Sequence, residues 1–106
     1  MKGRLLSIII LFFVHAAFPQ PSDSVYLFSY FKDNGQAGLH LAYSIDGFKW
    51  SALNNDRSLL KPAVAKDKLM RDPCIIRGAD NKFHMVWTVS WNDGGIGYAT
   101  STDLIH

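Results

Sequence analysis

The feature that most constrains this chain is a segment that occurs twice. Gly38-Leu39-His40-Leu41-Ala42-Tyr43-Ser44-Ile45-Asp46-Gly47-Phe48-Lys49 aligns with Gly95-Ile96-Gly97-Tyr98-Ala99-Thr100-Ser101-Thr102-Asp103-Leu104-Ile105-His106 without a gap. Each copy follows an aromatic-rich stretch, Val25-Tyr26-Leu27-Phe28-Ser29-Tyr30 in the first and Phe83-His84-Met85-Val86-Trp87-Thr88 in the second. Both stretches have the β-branched and aromatic composition of strands, and both copies end in an Asp-bearing turn. A unit of strand, turn, strand and polar turn at this spacing is the pattern of a β-propeller blade.

The strands follow from this pattern. Val25–Phe31 and Leu39–Ser44 form the first pair, with Lys32-Asp33-Asn34-Gly35 as the turn between them. Phe48-Lys49-Trp50 begins a short outer strand. Residues 54–68 form a polar loop interrupted by Pro62, with at most a helical turn. Arg71–Ile76 is an innermost strand, Asp80-Asn81 its turn, and Phe83–Trp91 the strongest strand. Asn92-Asp93-Gly94-Gly95 is the strongest hairpin signal, and Ile96–Ser101 is the last strand. No segment after residue 20 shows an amphipathic helical period. The fold class is all-β: about two propeller blades, fewer than the three or so repeats an array needs to stand alone.

The first twenty residues read differently. Lys2 and Arg4 precede a short apolar run, Leu5–Val14, then Val14-His15-Ala16-Ala17, and Phe18-Pro19-Gln20-Pro21 ends it. This is a signal-peptide pattern, too short for a membrane span. No Cys lies there for a lipid anchor. The expected organisation is a signal peptide over 1–20 and the N-terminal part of a propeller domain over 21–106, exported to the periplasm or the medium. Without Lys2 and Arg4, the 11 Lys+Arg and 9 Asp+Glu balance. That balance gives no basic patch for nucleic acid.

Residue types narrow the chemistry. All nine acidic residues are Asp, and the chain has no Glu. Asp72 is the main candidate. It stands between Arg71 and Pro73 at the entrance of an innermost strand, which in a propeller lines the central channel. Pro73 lacks an N–H and fixes its own φ, holding the Asp at the strand start. Arg71 is close enough in sequence to favour the ionised carboxylate. The competing reading is that Asp72 caps a turn or pairs with Arg71. Asp46 and Asp103 match in the two copies, which marks them as structural turn residues. Asp80 and Asp93 also lie in turns. Tyr30, Trp87 and Trp91 offer ring faces, although aromatics more often fill cores. Trp91, just before the turn, is expected to be the most exposed. His40 and His84 sit inside strands with no second ligand at metal spacing. Cys74, the single cysteine, is expected to be a small buried apolar residue beside Ile75 and Ile76.

Taken together, Asp72-Pro73 with Ile75-Ile76, Lys82 to Thr88, and Gly97 to His106 resemble a blade of glycoside hydrolase family 43. The resemblance extends from about Tyr26 to His106. It implies a five-bladed propeller acting on arabinose- or xylose-containing oligosaccharides or polysaccharides. Hydrolysis would be inverting, with one carboxylate activating water and another protonating the leaving sugar. Asp72 would be a catalytic carboxylate: the general base, or the Asp that tunes the acid. In the related family 32, an Arg-Asp-Pro carries a transition-state-stabilising Asp instead. Arg71, Trp87 and Trp91 would contact substrate. No cofactor or metal site is implied by these residues; a structural calcium in a part of the ring beyond His106 stays open. Two departures matter. A blade-like unit precedes the one bearing Asp72, and the catalytic Glu must come from a later blade, so residues 1–106 alone are expected to be inactive. A non-catalytic glycan-binding propeller is the rival reading. A sialidase is disfavoured, because Ser44 to Trp50 is one residue short of its turn motif and Arg57, Arg71 and Arg77 form no cluster pattern.

Overall fold

A computed structural model of the chain describes residues 24–106. The expected signal peptide lies outside them. The described chain forms two three-stranded antiparallel sheets. The first runs β1 (Tyr26–Tyr30), β2 (His40–Ser44) and β3 (Ser51–Ala52). The second runs β4 (Arg71–Arg77), β5 (Phe83–Thr88) and β6 (Ile96–Ser101). In both sheets the spatial order follows the chain, as it does in a meander. The fold is therefore all-β, with the arrangement of two adjoining propeller blades. The outer strand of the first sheet starts at Ser51, just after the expected Phe48-Lys49-Trp50, because those residues complete the preceding turn.

The sequence repeat maps onto this topology strand for strand. Tyr30 pairs with His40, and Trp87, its counterpart, pairs with Gly97. Thus β1 corresponds to β5 and β2 to β6. The turns after β2 and β6 repeat almost atom for atom. Ser44 Oγ accepts from Gly47 N at 2.8 Å, and Ser101 Oγ accepts from Leu104 N at 2.7 Å. Asp46 Oδ1 accepts from Phe48 N and Lys49 N, and Asp103 Oδ1 from Ile105 N and His106 N, all at 2.8 to 2.9 Å. Matching Asp residues are structural here because each carboxylate closes its own turn. The position between them must be left-handed: Gly47 has φ 78° and Leu104 has φ 67°. Glycine adopts that conformation freely and leucine does not.

The two sheets share one core. Leu39 and Leu41 from the first meet Met70, Met85, Trp87 and Val89 from the second. Period-two alternation selects the buried members: Met85 and Trp87 point in, while Val86 and Thr88 point out. Trp87 lies flat on Gly97, whose Cβ, if present, would fall 1.9 Å from the indole. The faces turned away from this core carry Phe28 and Trp50 on one sheet and Ile76 and Tyr98 on the other, all exposed. Exposed apolar faces of this extent are interaction surfaces, as blades need on both sides. Cys74 lies on such a face and is exposed, contrary to expectation. A register shift between Arg71 and Cys74 buries Pro73 and turns Cys74 outward.

At the turn between β4 and β5, His84 links Asp80 and Tyr98. Its Nε2 lies 3.0 Å from Asp80 Oδ1, and its Nδ1 lies 2.7 Å from the Tyr98 hydroxyl. Gly78 leaves room for this pair, since a Cβ there would meet His84 Nε2 at 2.8 Å.

Two predictions follow from the packing and the turns. Gly97→Ala forces the indole or β6 to move and should destabilise the fold by about 2 kcal/mol or more, read from urea unfolding. An unchanged midpoint would mean that Trp87 does not rest on Gly97. The carboxyls of Asp46, Asp80 and Asp103 are held below their ordinary value of 3.8, chiefly by the Lys49 N–H, the His84 ring and the His106 ring respectively. Carboxyls depressed by folding stabilise above their unfolded value, and that stability is lost as pH falls through it and below. The melting temperature should therefore drop progressively below about pH 4. In Asp103→Asn the drop should be shallower.

Candidate active site

The residues with chemical potential gather at one end of the sheets. Four segments meet there: the end of β1, the loop before β2, the start of β4, and the loop between β5 and β6. The chain at residues 69–73 joins them. Leu69 N donates to Val89 O at 3.0 Å within the second sheet, and Met70 N donates to Gly35 O at 2.9 Å in the first sheet's loop. Ser29 Oγ donates to Pro73 O at 2.6 Å. Asp72 is thus held from both sides by its neighbours' backbone.

Asp72 itself is exposed and has φ 48°. A residue before proline normally prefers extended backbone, so this conformation is strained. The strain coincides with the register shift at the start of β4. Among the described residues no ion pair joins Arg71 to Asp72. The expected support of Asp72 by Arg71 is therefore replaced by another arrangement. Successive strand residues face opposite sides, and Arg71 goes with its own face. Its guanidinium stacks 3.8 Å from the Trp91 ring centroid and 5.4 Å from that of Phe31. Its Nη1 donates to Asn34 Oδ1 at 2.8 Å. Gly35 permits the close approach, because a Cβ there would lie 2.7 Å from Arg71 Cγ.

Trp91 is exposed, as its place before the turn suggested, and its loop is held internally. Ser90, buried, donates from Oγ to Asp67 Oδ2 and accepts from Asn92 N and Asp93 N. The hairpin connection is consequently wider than Asn92-Asp93-Gly94-Gly95, because β5 stops at Thr88 and residues 89–90 turn into the core. Trp87 parts company with Trp91. It is 6 % exposed, and its ring belongs to the shared core. Arg71, Asp72 and Trp91 are thus brought together at the site end, and Trp87 is not.

A second group at this end escaped the sequence reading. Asp56 Oδ1 accepts from the Tyr30 hydroxyl at 2.6 Å, and Asp56 Oδ2 pairs with Lys32. The Asp56 carboxyl is held below its usual range, first by the Lys32 ammonium and then by the Tyr30 hydroxyl. The same hydrogen bond pushes the Tyr30 phenol up to about 12. His40 lies beneath, its side chain 5 % exposed and its Nδ1 3.5 Å from Asp56 Oδ1. Both turns that deliver polar side chains here, Asp33-Asn34-Gly35 and Asn54-Asn55-Asp56, run through three consecutive residues of positive φ. Asn and Asp tolerate that conformation best among residues with a Cβ. The clustering of Asn, Asp and Gly was the available signal, but it reads as an ordinary loop without the tertiary contacts. Among the described residues no three His, Cys, Asp or Glu side chains group as a metal site.

Two blade-like sheets with a carboxylate and an aromatic–guanidinium stack at one shared end define a propeller-type domain with a polar rim. A family described as a probable glycosyl hydrolase domain, related to glycosyl hydrolase family 43, matches residues 23–103. The chain belongs to that family: it is a glycosyl hydrolase-like domain, and the implied substrate is carbohydrate. No curated protein and no solved structure shows a significant match.

The strain at Asp72 is measurable. Asp72→Gly should be more stable than Asp72→Ala by about 1 kcal/mol, because only the alanine pays for the left-handed backbone. Equal unfolding midpoints would place Asp72 outside that region of backbone space in solution.

Proposed function

We propose that this domain contributes to an exported inverting glycoside hydrolase acting on arabinose- or xylose-containing glycans, with Asp72 as the general base. The observation that carries the reading is the exposed Asp72 carboxylate, held in strained backbone at the entrance of β4. Strained backbone of this kind persists where function needs a side chain aimed against local preference. The family match supports hydrolysis of a sugar linkage.

In this reading Asp72 accepts a proton from the attacking water, and a second carboxyl protonates the departing sugar oxygen. The second group comes from outside the described residues: the chain has no Glu, Asp46, Asp80 and Asp103 are committed to their own turns or to His rings, and Asp56 is held by Lys32 and Tyr30. Trp91 offers an aromatic face to a sugar ring, and Arg71 behind it fixes the indole. Activity then requires further blades that close the ring. The N-terminal apolar run serves export.

The test is Asp72→Asn in the complete protein, assayed on aryl arabinofuranosides and xylosides. Hydrolysis should fall by about 10²- to 10⁴-fold while the thermal melt stays near wild type. Full turnover in the variant would remove Asp72 from the chemistry. A wild-type protein that binds these glycans without cleaving them would leave a glycan-binding propeller instead.

A further inference from the structure

We infer that Asp56, Lys32, Tyr30 and His40 form a second sugar-hydroxyl subsite on the same rim as Asp72, which takes a neutral polyhydroxylated ring of the substrate. This rests on the reading of the domain as carbohydrate-processing. The four groups come from separate places in the chain: the end of β1, the turn after it, the start of β2 and the turn after β3. Their position relative to Asp72 is fixed by the chain, since Tyr30 follows Ser29, whose hydroxyl bonds Pro73 O.

The observation pointing to a ligand is His40. Its side chain is almost fully buried, yet neither ring nitrogen has a hydrogen-bond partner. Asp56 Oδ1 lies 3.5 Å from its Nδ1 and makes no hydrogen bond to it. A buried unpaired polar group costs about 1 to 3 kcal/mol, which a ligand hydroxyl or its bridging water would offset. Asp56 and Lys32 remain partly exposed, so the cluster opens to solvent above the buried ring.

The donor set selects the ligand class. The Asp56 carboxylate repels an anion, and the Lys32 ammonium on the same carboxylate repels a metal cation. What fits is a neutral ligand that both donates and accepts. Adjacent hydroxyls of a sugar ring can donate to Asp56 and accept from Lys32. Tyr30 adds an apolar face, its ring 5.3 Å from that of His40. The subsite would thus bind substrate away from the hydrolysed bond and help choose which sugar occupies the rim.

The complete protein, labelled with 15N in its His and Trp side chains, is titrated with xylobiose and with arabinobiose. The His40 imidazole and the Trp91 indole report the two parts of the rim. The expected result is a saturable shift at both reporters with at least one sugar. Asp56→Asn and, independently, Lys32→Gln should weaken that affinity about tenfold. The Lys32→Gln variant keeps the test open where Asp56→Asn does not fold. Saturation at Trp91 with His40 unmoved, or wild-type affinity in both variants, overturns the subsite and leaves the glycosidase reading standing. No shift at either reporter overturns both.

Discussion

The site end depends on one short stretch, residues 69–73, which belongs to both sheets at once. Met70 is fully buried in the shared core, while its N–H bonds the first sheet's loop at Gly35. Leu69 bonds the second sheet at Val89, and Pro73 O takes the hydroxyl of Ser29 on β1. Between these anchors, Arg71 and Asp72 have little freedom. A buried apolar side chain and three hydrogen bonds, two before the pair and one after it, over-determine the backbone, and that is the condition under which a strained residue persists. Arg71 lies over Trp91, and the Trp91 loop is held in its turn by Ser90.

The two ends of the sheets are built by different rules. At the far end, the turns after β2 and β6 repeat the same Ser and Asp bonds, which is economical and local. Each side chain satisfies backbone within three residues of itself, so the turn forms without help from the rest of the fold. At the site end the loops differ in length, and what their turns share is backbone conformation, with no repeated side-chain bonds. Their polar side chains bond across long sequence separations: Asn34 to Arg71, Tyr30 to Asp56, Ser90 to Asp67. Variable loops on a repeated scaffold are where binding and catalysis reside.

Legibility follows the same division. The repeat located β1, β2, β5 and β6 to within a few residues, because period two and turn chemistry are local signals. It also marked Asp46 and Asp103 as turn residues. Cys74 escaped, because a register shift between Arg71 and Cys74 decides which way it points. The direction of Arg71 escaped for a related reason: adjacency in a strand separates side chains rather than pairing them. Trp87 and Trp91 are alike in sequence, and only the approach of Gly97 sets one in the core. Asp56 gave only the signal of an ordinary Asn–Asp loop, since its partners lie on other strands and turns.

The sequence by itself determined the architecture: an all-β chain built from a repeated strand–turn–strand unit, with a carboxylate at the mouth of an inner strand. Those properties are encoded within a few residues of each other, in alternation, Asx turns and Asp72-Pro73. Only the tertiary structure decided which side chains share the rim. The stacking of Arg71 on Trp91, the burial of Trp87 and the meeting of Asp56 with His40 all depend on how two sheets pack. Packing couples residues far apart in the chain, and no local pattern records that coupling.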